Sequence, residues 1–307
     1  MDTPIIFWIA FNGVVLVLLA LDLFAHRGDK PVSVRDAAIT SAGFVILSLL
    51  FSAYIWHWKG SSKAMEFLTG YVIEYSLSVD NIFVFVLVFN FFQVPSHYQH
   101  RVLFWGILGA LVMRGLMIGV GAALIAQFHW ILYLFGIFLL VTGVKMMLSG
   151  DEEMDIANNP VLRFCRKHLP ISDKYHGHDF LTKINGKILL TPLALVLIVV
   201  EFTDLIFAVD SIPAIFAITQ DAFIVYTSNV CAILGLRSLY FLLAKAMVHF
   251  KYLKLGLGLV LSFIGFKMLI EYFVHVPTPL ALAVVATILT LAVVASLIHN
   301  KKHPNDL

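Results

Sequence analysis

Nine runs of about twenty apolar residues, separated by polar stretches, leave this chain one environment in which to fold. They lie at 4–24, 37–58, 67–94, 102–128, 130–148, 188–219, 223–248, 255–273 and 280–298. A helix rises about 1.5 Å per residue, so each run matches the roughly 30 Å hydrocarbon layer of a bilayer. Inside lipid every backbone N–H and C=O must find its partner within the protein, which makes helices the expected form. With 60% hydrophobic and only 13% charged residues, and a mean hydropathy of +0.92, the chain reads as an all-α polytopic membrane protein, not a soluble enzyme with a large core. The first run is too long, and lacks the basic leader, for a cleaved signal peptide, so it reads as a retained span.

Other classes drop out on composition. Cys165 and Cys231 fall in a polar loop and an apolar run, giving neither a disulfide framework nor a thiolate metal cluster. A net charge of +2 gives no nucleic-acid footprint. The distribution of the basic residues is more telling than their sum. Outside the spans 14 Lys and Arg fall on one face and two, Lys59 and Lys63, on the other; without the six in the loop 149–187 the ratio is still 8 to 2. The positive-inside rule then puts the N-terminus outside and the C-terminus in the cytoplasm.

Against this background the stretch Glu201-Phe-Thr-Asp204-Leu-Ile-Phe-Ala-Val-Asp210-Ser211-Ile-Pro213 stands out, with three carboxylates inside an apolar run. Each costs roughly 2.5–3.5 kcal/mol in the bilayer centre on insertion scales, so the set needs a cation or a water-filled cavity. An earlier segment, Glu74-Tyr-Ser-Leu-Ser-Val-Asp80-Asn81, matches it at an offset of 130, with Glu74 on Asp204 and Asp80 on Asp210. Downstream of each copy come a lone arginine, Arg114 or Arg237, and then a Gly-x6-Gly motif ending in Lys-Met: Gly136 to Met146, and Gly258 to Met268. The organisation read is two N-terminal spans (1–63), a three-helix unit (64–148), a cytoplasmic loop (149–187), a second three-helix unit (188–275), and a last span with its tail (276–307). Three spans per unit make the second unit enter from the opposite side. The result is an inverted-topology repeat, whose site belongs near the midplane where the halves meet.

The candidate ligands are Glu74, Asp80, Asn81, Glu201, Asp204, Asp210 and Ser211, with Ser78, Thr203 and backbone carbonyls in reach. All are hard oxygen donors, a set suited to Mg²⁺, Ca²⁺ or Mn²⁺. Asp204 and Asp210, about 9 Å apart along an ideal helix and about 120° around it, cannot both touch one ion unless the helix breaks, and Pro213 is the expected breaker. The five acids of the repeats and the two arginines sum to −3, which a divalent cation and a proton would balance. Arg114 and Arg237 read as counter-ions to the acids in the empty site. Lys145 and Lys267 read as snorkelling to the interface, and the charged loop with His176 and His178 reads as solvated.

Those motifs, with Ile-Leu-Gly-Leu-Arg237, resemble the TerC family of integral membrane proteins, close to its Alx-type bacterial members. The resemblance runs from Asp22 to the ninth span; Tyr75 stands where relatives often carry lysine. It implies a Mn²⁺ exporter of the bacterial inner membrane with LysE-like architecture, no resident cofactor, Mn²⁺ as substrate, and proton antiport as the driving force. Two alternatives stay open: export of another cation such as Ca²⁺, and a membrane scaffold whose acids pair internally. An intramembrane protease is disfavoured, because no Gly-x-Gly-Asp, His-Glu-x-x-His or Gly-x-Ser-x-Gly element is present. The charge bias makes the topology testable. A C-terminal fluorescent protein should light up and a C-terminal alkaline phosphatase should stay inactive, while a cysteine placed ahead of Pro4 should react with an impermeant maleimide in intact cells.

Overall fold

A computed structural model describes residues 3–25, 33–128, 130–148, 160–243 except 173, 176, 178 and 185, and 252–302 except 272 and 275. The side chains of 22–25, 80, 83, 160 and 300–302 lie outside that description. The elements in chain order are α1 (Ile5–Ala25), α2 (Val34–Lys59), α3 (Ser61–Phe91), α4 (Ser96–Gln127), α5 (Ile131–Leu148), α6 (Pro160–His168), β1 (Leu181–Ile184), β2 (Lys187–Leu190), α7 (Pro192–Phe216), α8 (Ala222–Leu234), α9 (Leu236–Leu243), α10 (Leu253–Ile270) and α11 (Thr278–Lys302). Among the described residues eight helices are long and apolar enough to cross a membrane, with α8 and α9 taken together as one. The ninth expected span is α1, whose apolar run Ile5–Leu21 is shorter.

Polarity is arranged for lipid. On α2 the buried positions include Ser41, Ser48 and Ser52, while Ile39, Ile46 and Leu50 face outward. Small hydroxyl residues thus make the helix contacts, as expected where no hydrophobic force separates helix from lipid. At the other extreme α8 is buried on every side, with α3 and α4 packed most closely on it. Asn12 on α1 accepts a hydrogen bond from the Tyr226 hydroxyl of α8 at 2.6 Å, tying the first helix to it.

Three expectations are corrected. Ile188 does not begin the sixth span. Residues 181–190 form an antiparallel hairpin, and α7 starts at Pro192 behind the cap Thr191, whose hydroxyl accepts from the Ala194 N–H. The span read at 223–248 is a single crossing segment over Ala222–Leu243 among the described residues, interrupted only at Gly235, just before Arg237. The helix α7 does not break: it passes through Pro213 to Phe216. The loop 149–187 is likewise more than a solvated linker. Leu162 and Cys165 of α6 are buried against the α3 and α7 ends, and the Tyr175 hydroxyl donates to the Phe92 carbonyl at 2.7 Å. His176 and His178 lie outside the described residues.

The opposite end is closed by ion pairs. Lys59 pairs with Asp221 at 2.7 Å and Lys63 with Glu66 at 2.6 Å, and Glu66 also accepts from the Thr219 hydroxyl at 2.5 Å. The α2–α3 corner that presents both lysines turns on Gly60 at φ 90°, a conformation that glycine adopts without strain.

The two Gly-x6-Gly motifs meet each other. A Cβ at Gly265 would stand 2.7 Å from the Gly136 carbonyl oxygen, and one at Gly258 would stand 2.9 Å from that of Gly143. The backbones of α5 and α10 therefore touch, antiparallel, with Gly136 against Gly265 and Gly143 against Gly258. Gly258→Val should force the pair apart, with a loss typical of overpacking, about 1–3 kcal/mol. Gly119→Ala, at a position with nothing near its missing Cβ, should leave the thermal midpoint of the purified protein unchanged or slightly raised.

Candidate functional site

Arg114 sits at the centre of the helix bundle, 1% exposed, one of the largest fully buried side chains. A guanidinium cannot be neutralised in a protein, so its burial demands acceptors on every side. Glu74 on α3 takes Nη1. Asp204 on α7 takes two bonds, from Nε at 3.1 Å and from Nη2 at 2.8 Å, the bidentate arrangement in which arginine binds a carboxylate best. The Asn229 side-chain oxygen on α8 also accepts from Nη1, at 3.1 Å, while its amide donates to the other Glu74 oxygen at 3.0 Å. Asn81 on α3 closes the set by donating to Asp204 at 3.3 Å. Four helices thus meet on one charged knot with a formal charge of −1.

This knot unites predicted residues from both halves of the chain: Glu74, Asn81 and Arg114 from the first, Asp204 from the second. It also contains one residue that the sequence reading omits. Asn229 has no counterpart in the repeated motif, but its signal was present as Thr-Ser-Asn in the middle of an apolar span.

Other predicted residues fall elsewhere. Because α7 stays helical, Asp204 and Asp210 point to different sides. Asp204 turns to Arg114, and Asp210, half-buried, faces the Thr142 hydroxyl of α5. Glu201, one turn before Asp204, is packed so closely on α4 that any side chain at Gly109 would collide with its carboxylate. With Asp204 and Arg237 it lines a cavity of about 20 Å³, room for one water molecule or a bare ion. The cavity lies on the side of Arg114 that carries α6 and the hairpin. The Asp80 side chain is outside the described residues. Lys267 does not snorkel: it is buried, donating to the Ala217 carbonyl at 3.2 Å and pairing with Glu271 at 3.0 Å. Lys145 is exposed.

Several polar atoms in this region are buried with no hydrogen-bond partner: Ser78 Oγ, Asn81 Oδ1, Glu201 Oε2 and Ser211 Oγ. All are oxygens, and buried oxygens are normally satisfied. They are chemically apt for a hard cation. Among the described residues no three His, Cys, Asp or Glu side chains converge as a ready-made metal cluster. The acids are instead distributed, with Glu74 and Asp204 occupied by Arg114.

Helices, spans and a charged knot buried between them define a multi-pass integral membrane protein with polar machinery in its interior. The chain belongs to the integral membrane protein TerC family, which it matches over residues 59–304. It is 49% identical over 301 residues to an uncharacterized membrane protein of Myxococcus xanthus, covering 97% of this chain and 94% of that protein. It is 48% identical over 311 residues to Alx of Escherichia coli K12, named as a candidate membrane-bound redox modulator, covering 98% and 97%. A Rickettsia felis membrane protein is 42% identical over 292 residues, covering 95% of this chain and 97% of that one. No solved structure matches.

Removing one partner from a buried ion pair strands the other charge, at a cost of about 3–5 kcal/mol. Arg114→Met should therefore lower the thermal midpoint sharply. The triple variant Glu74→Gln, Arg114→Met, Asp204→Asn should recover most of that loss, a non-additivity that thermal denaturation in detergent would measure.

Proposed function

We propose that this protein exports a divalent cation, with Mn²⁺ as the substrate, across the bacterial inner membrane. The carrying observation is that two carboxylates from different halves of the chain share one arginine inside the bilayer, beside buried oxygens that have no partner. Arg114 then acts as a stand-in cation. It offsets one of the two negative charges of Glu74 and Asp204 while the site is empty, and a dehydrating divalent ion competes for the same oxygens. The cavity between Glu201, Asp204 and Arg237 supplies the approach. It lies on the side rich in Lys and Arg, which the positive-inside rule assigns to the cytoplasm, as an exporter requires.

Alternating access follows in this reading from an inverted repeat whose halves rock about the α5–α10 contact. Asp80 and Asp210, with Asn81 and Ser211 beside them, provide the further ligands reached during that motion. Glu201 is the proton carrier: it lines the cavity, and one of its oxygens is buried without a partner. Antiport with protons uses the acid surplus left over after Arg114 and Arg237 are counted.

A scaffold reading is favoured by one feature, the complete internal pairing of Glu74 and Asp204. The redox activity in the relatives' name finds no dithiol here, since Cys165 and Cys231 are both free and buried on different helices. The deciding measurement is intracellular manganese, by elemental analysis, in a manganese-loaded strain lacking its own exporters. The wild-type chain should lower it several-fold, and Asp204→Asn or Asp210→Asn at equal membrane abundance should not. Unchanged manganese with the wild-type chain would overturn export of this metal; loss of the Asp210→Asn protein from the membrane would favour the scaffold.

A further inference from the structure

The β1–β2 hairpin leaves the bundle at the level where lipid headgroups lie. β2 ends at Leu190, and the apolar helix α7 begins two residues later, so the ribbon stands next to the hydrocarbon boundary. Its root is fixed, because the Thr191 N–H donates to the Phe180 carbonyl at 3.0 Å and its hydroxyl to that of Asp179 at 2.7 Å. The Phe180 ring meets Trp105 of α4 edge-on at 6.4 Å, and the Arg101 guanidinium lies 5.3 Å over the same ring. Trp105 is exposed, as are Val112 and Leu116, seven and eleven residues further along the same face of α4. The hairpin root therefore sits on a lipid-facing flank, beside a tryptophan at the interface depth that such residues favour.

Beyond the root the ribbon exposes Leu181, Ile184 and Ile188, the last at 65%. Its register sets Lys183 opposite Ile188 and Lys187 opposite Ile184, so each face of the tip carries one isoleucine and one lysine. A two-stranded ribbon is marginal in water, and exposed apolar groups clustered on it mark a contact surface. In a headgroup layer both residue types are accommodated on the face that Leu181, Lys183 and Ile188 share: Leu181 and Ile188 reach the acyl boundary while the lysine stem snorkels to phosphate. Charge selects the partner. Residues 160–190 hold six Lys and Arg against Asp173 and Asp179, and Arg101 adds a seventh cation at the root.

We propose that the β1–β2 hairpin is a lipid-docking element that lays the face carrying Leu181 and Ile188 among anionic phospholipid headgroups, held there by Lys183 on the same face and by Lys187 and Arg101 at its edges. A basic surface next to the membrane attracts anionic lipid in this way. The proposal does not depend on what the protein transports.

The full-length protein tests it in nanodiscs. A bimane label at Ile188→Cys, with the buried native cysteines unreactive, is read for quenching by a nitroxide carried just below the lipid headgroup. Quenching should be at least threefold stronger in phosphatidylglycerol than in phosphatidylcholine. Lys183→Glu with Lys187→Glu should bring it down to the phosphatidylcholine level in a protein that stays monodisperse. A label that stays open to aqueous iodide in both lipids, or that is quenched equally in both, would overturn the proposal. The lipid comparison uses the native lysines, so a charge variant that misfolds does not remove the test.

Discussion

A permanent charge in the middle of a bilayer protein dictates what surrounds it. Arg114 cannot shed its proton and cannot reach water, so Glu74, Asp204 and Asn229 are drawn from three other helices to satisfy it. That requirement fixes the azimuth of α3, α4, α7 and α8 relative to one another more tightly than packing of apolar side chains against apolar lipid could, since lipid tails offer the same contacts. The knot carries a formal charge of −1.

The elements around the knot divide its access. On one side Lys59, Asp221, Lys63, Glu66 and Thr219 close the corner between α2–α3 and α7–α8. On the other, the Glu201–Arg237 cavity lies beneath α6 and the hairpin. A transporter seen with one side latched and a small polar cavity on the other would have this asymmetry. Against both sides stands the α5–α10 pair, where glycines bring two backbones into contact without intervening side chains. Side chains of each helix, Met147 and Leu139 from α5 and Ser262 and Leu269 from α10, seat against the glycines of the other.

Much of this was legible in the sequence because the bilayer makes exceptions conspicuous. Nine apolar runs implied helices, and a carboxylate or arginine within one could only be functional or paired. Glu74, Asp204 and Arg114 were found that way, and Asn81 through its place beside Asp80 in the duplicated segment. The glycine motifs were legible as a repeat, although not as each other's partners. Asn229 escaped because it lies outside the repeated pattern and a neutral amide gives a weaker signal than a charge. The hairpin escaped because Ile188-Leu-Leu continues the apolar run of α7, and periodicity alone does not separate a short strand from the start of a helix.

What the sequence by itself determined is the solvent of the protein: composition and run length demand a bundle of membrane helices, and the duplicated acids demand a polar interior. What only the tertiary structure decided is which acids share a partner. Asp204 and Asp210 look equivalent along the chain, yet α7 remains helical through Pro213 and turns one to Arg114 and the other to Thr142. Spacing in a sequence sets an angle around a helix axis, but the residue found at that angle depends on how the neighbouring helices pack.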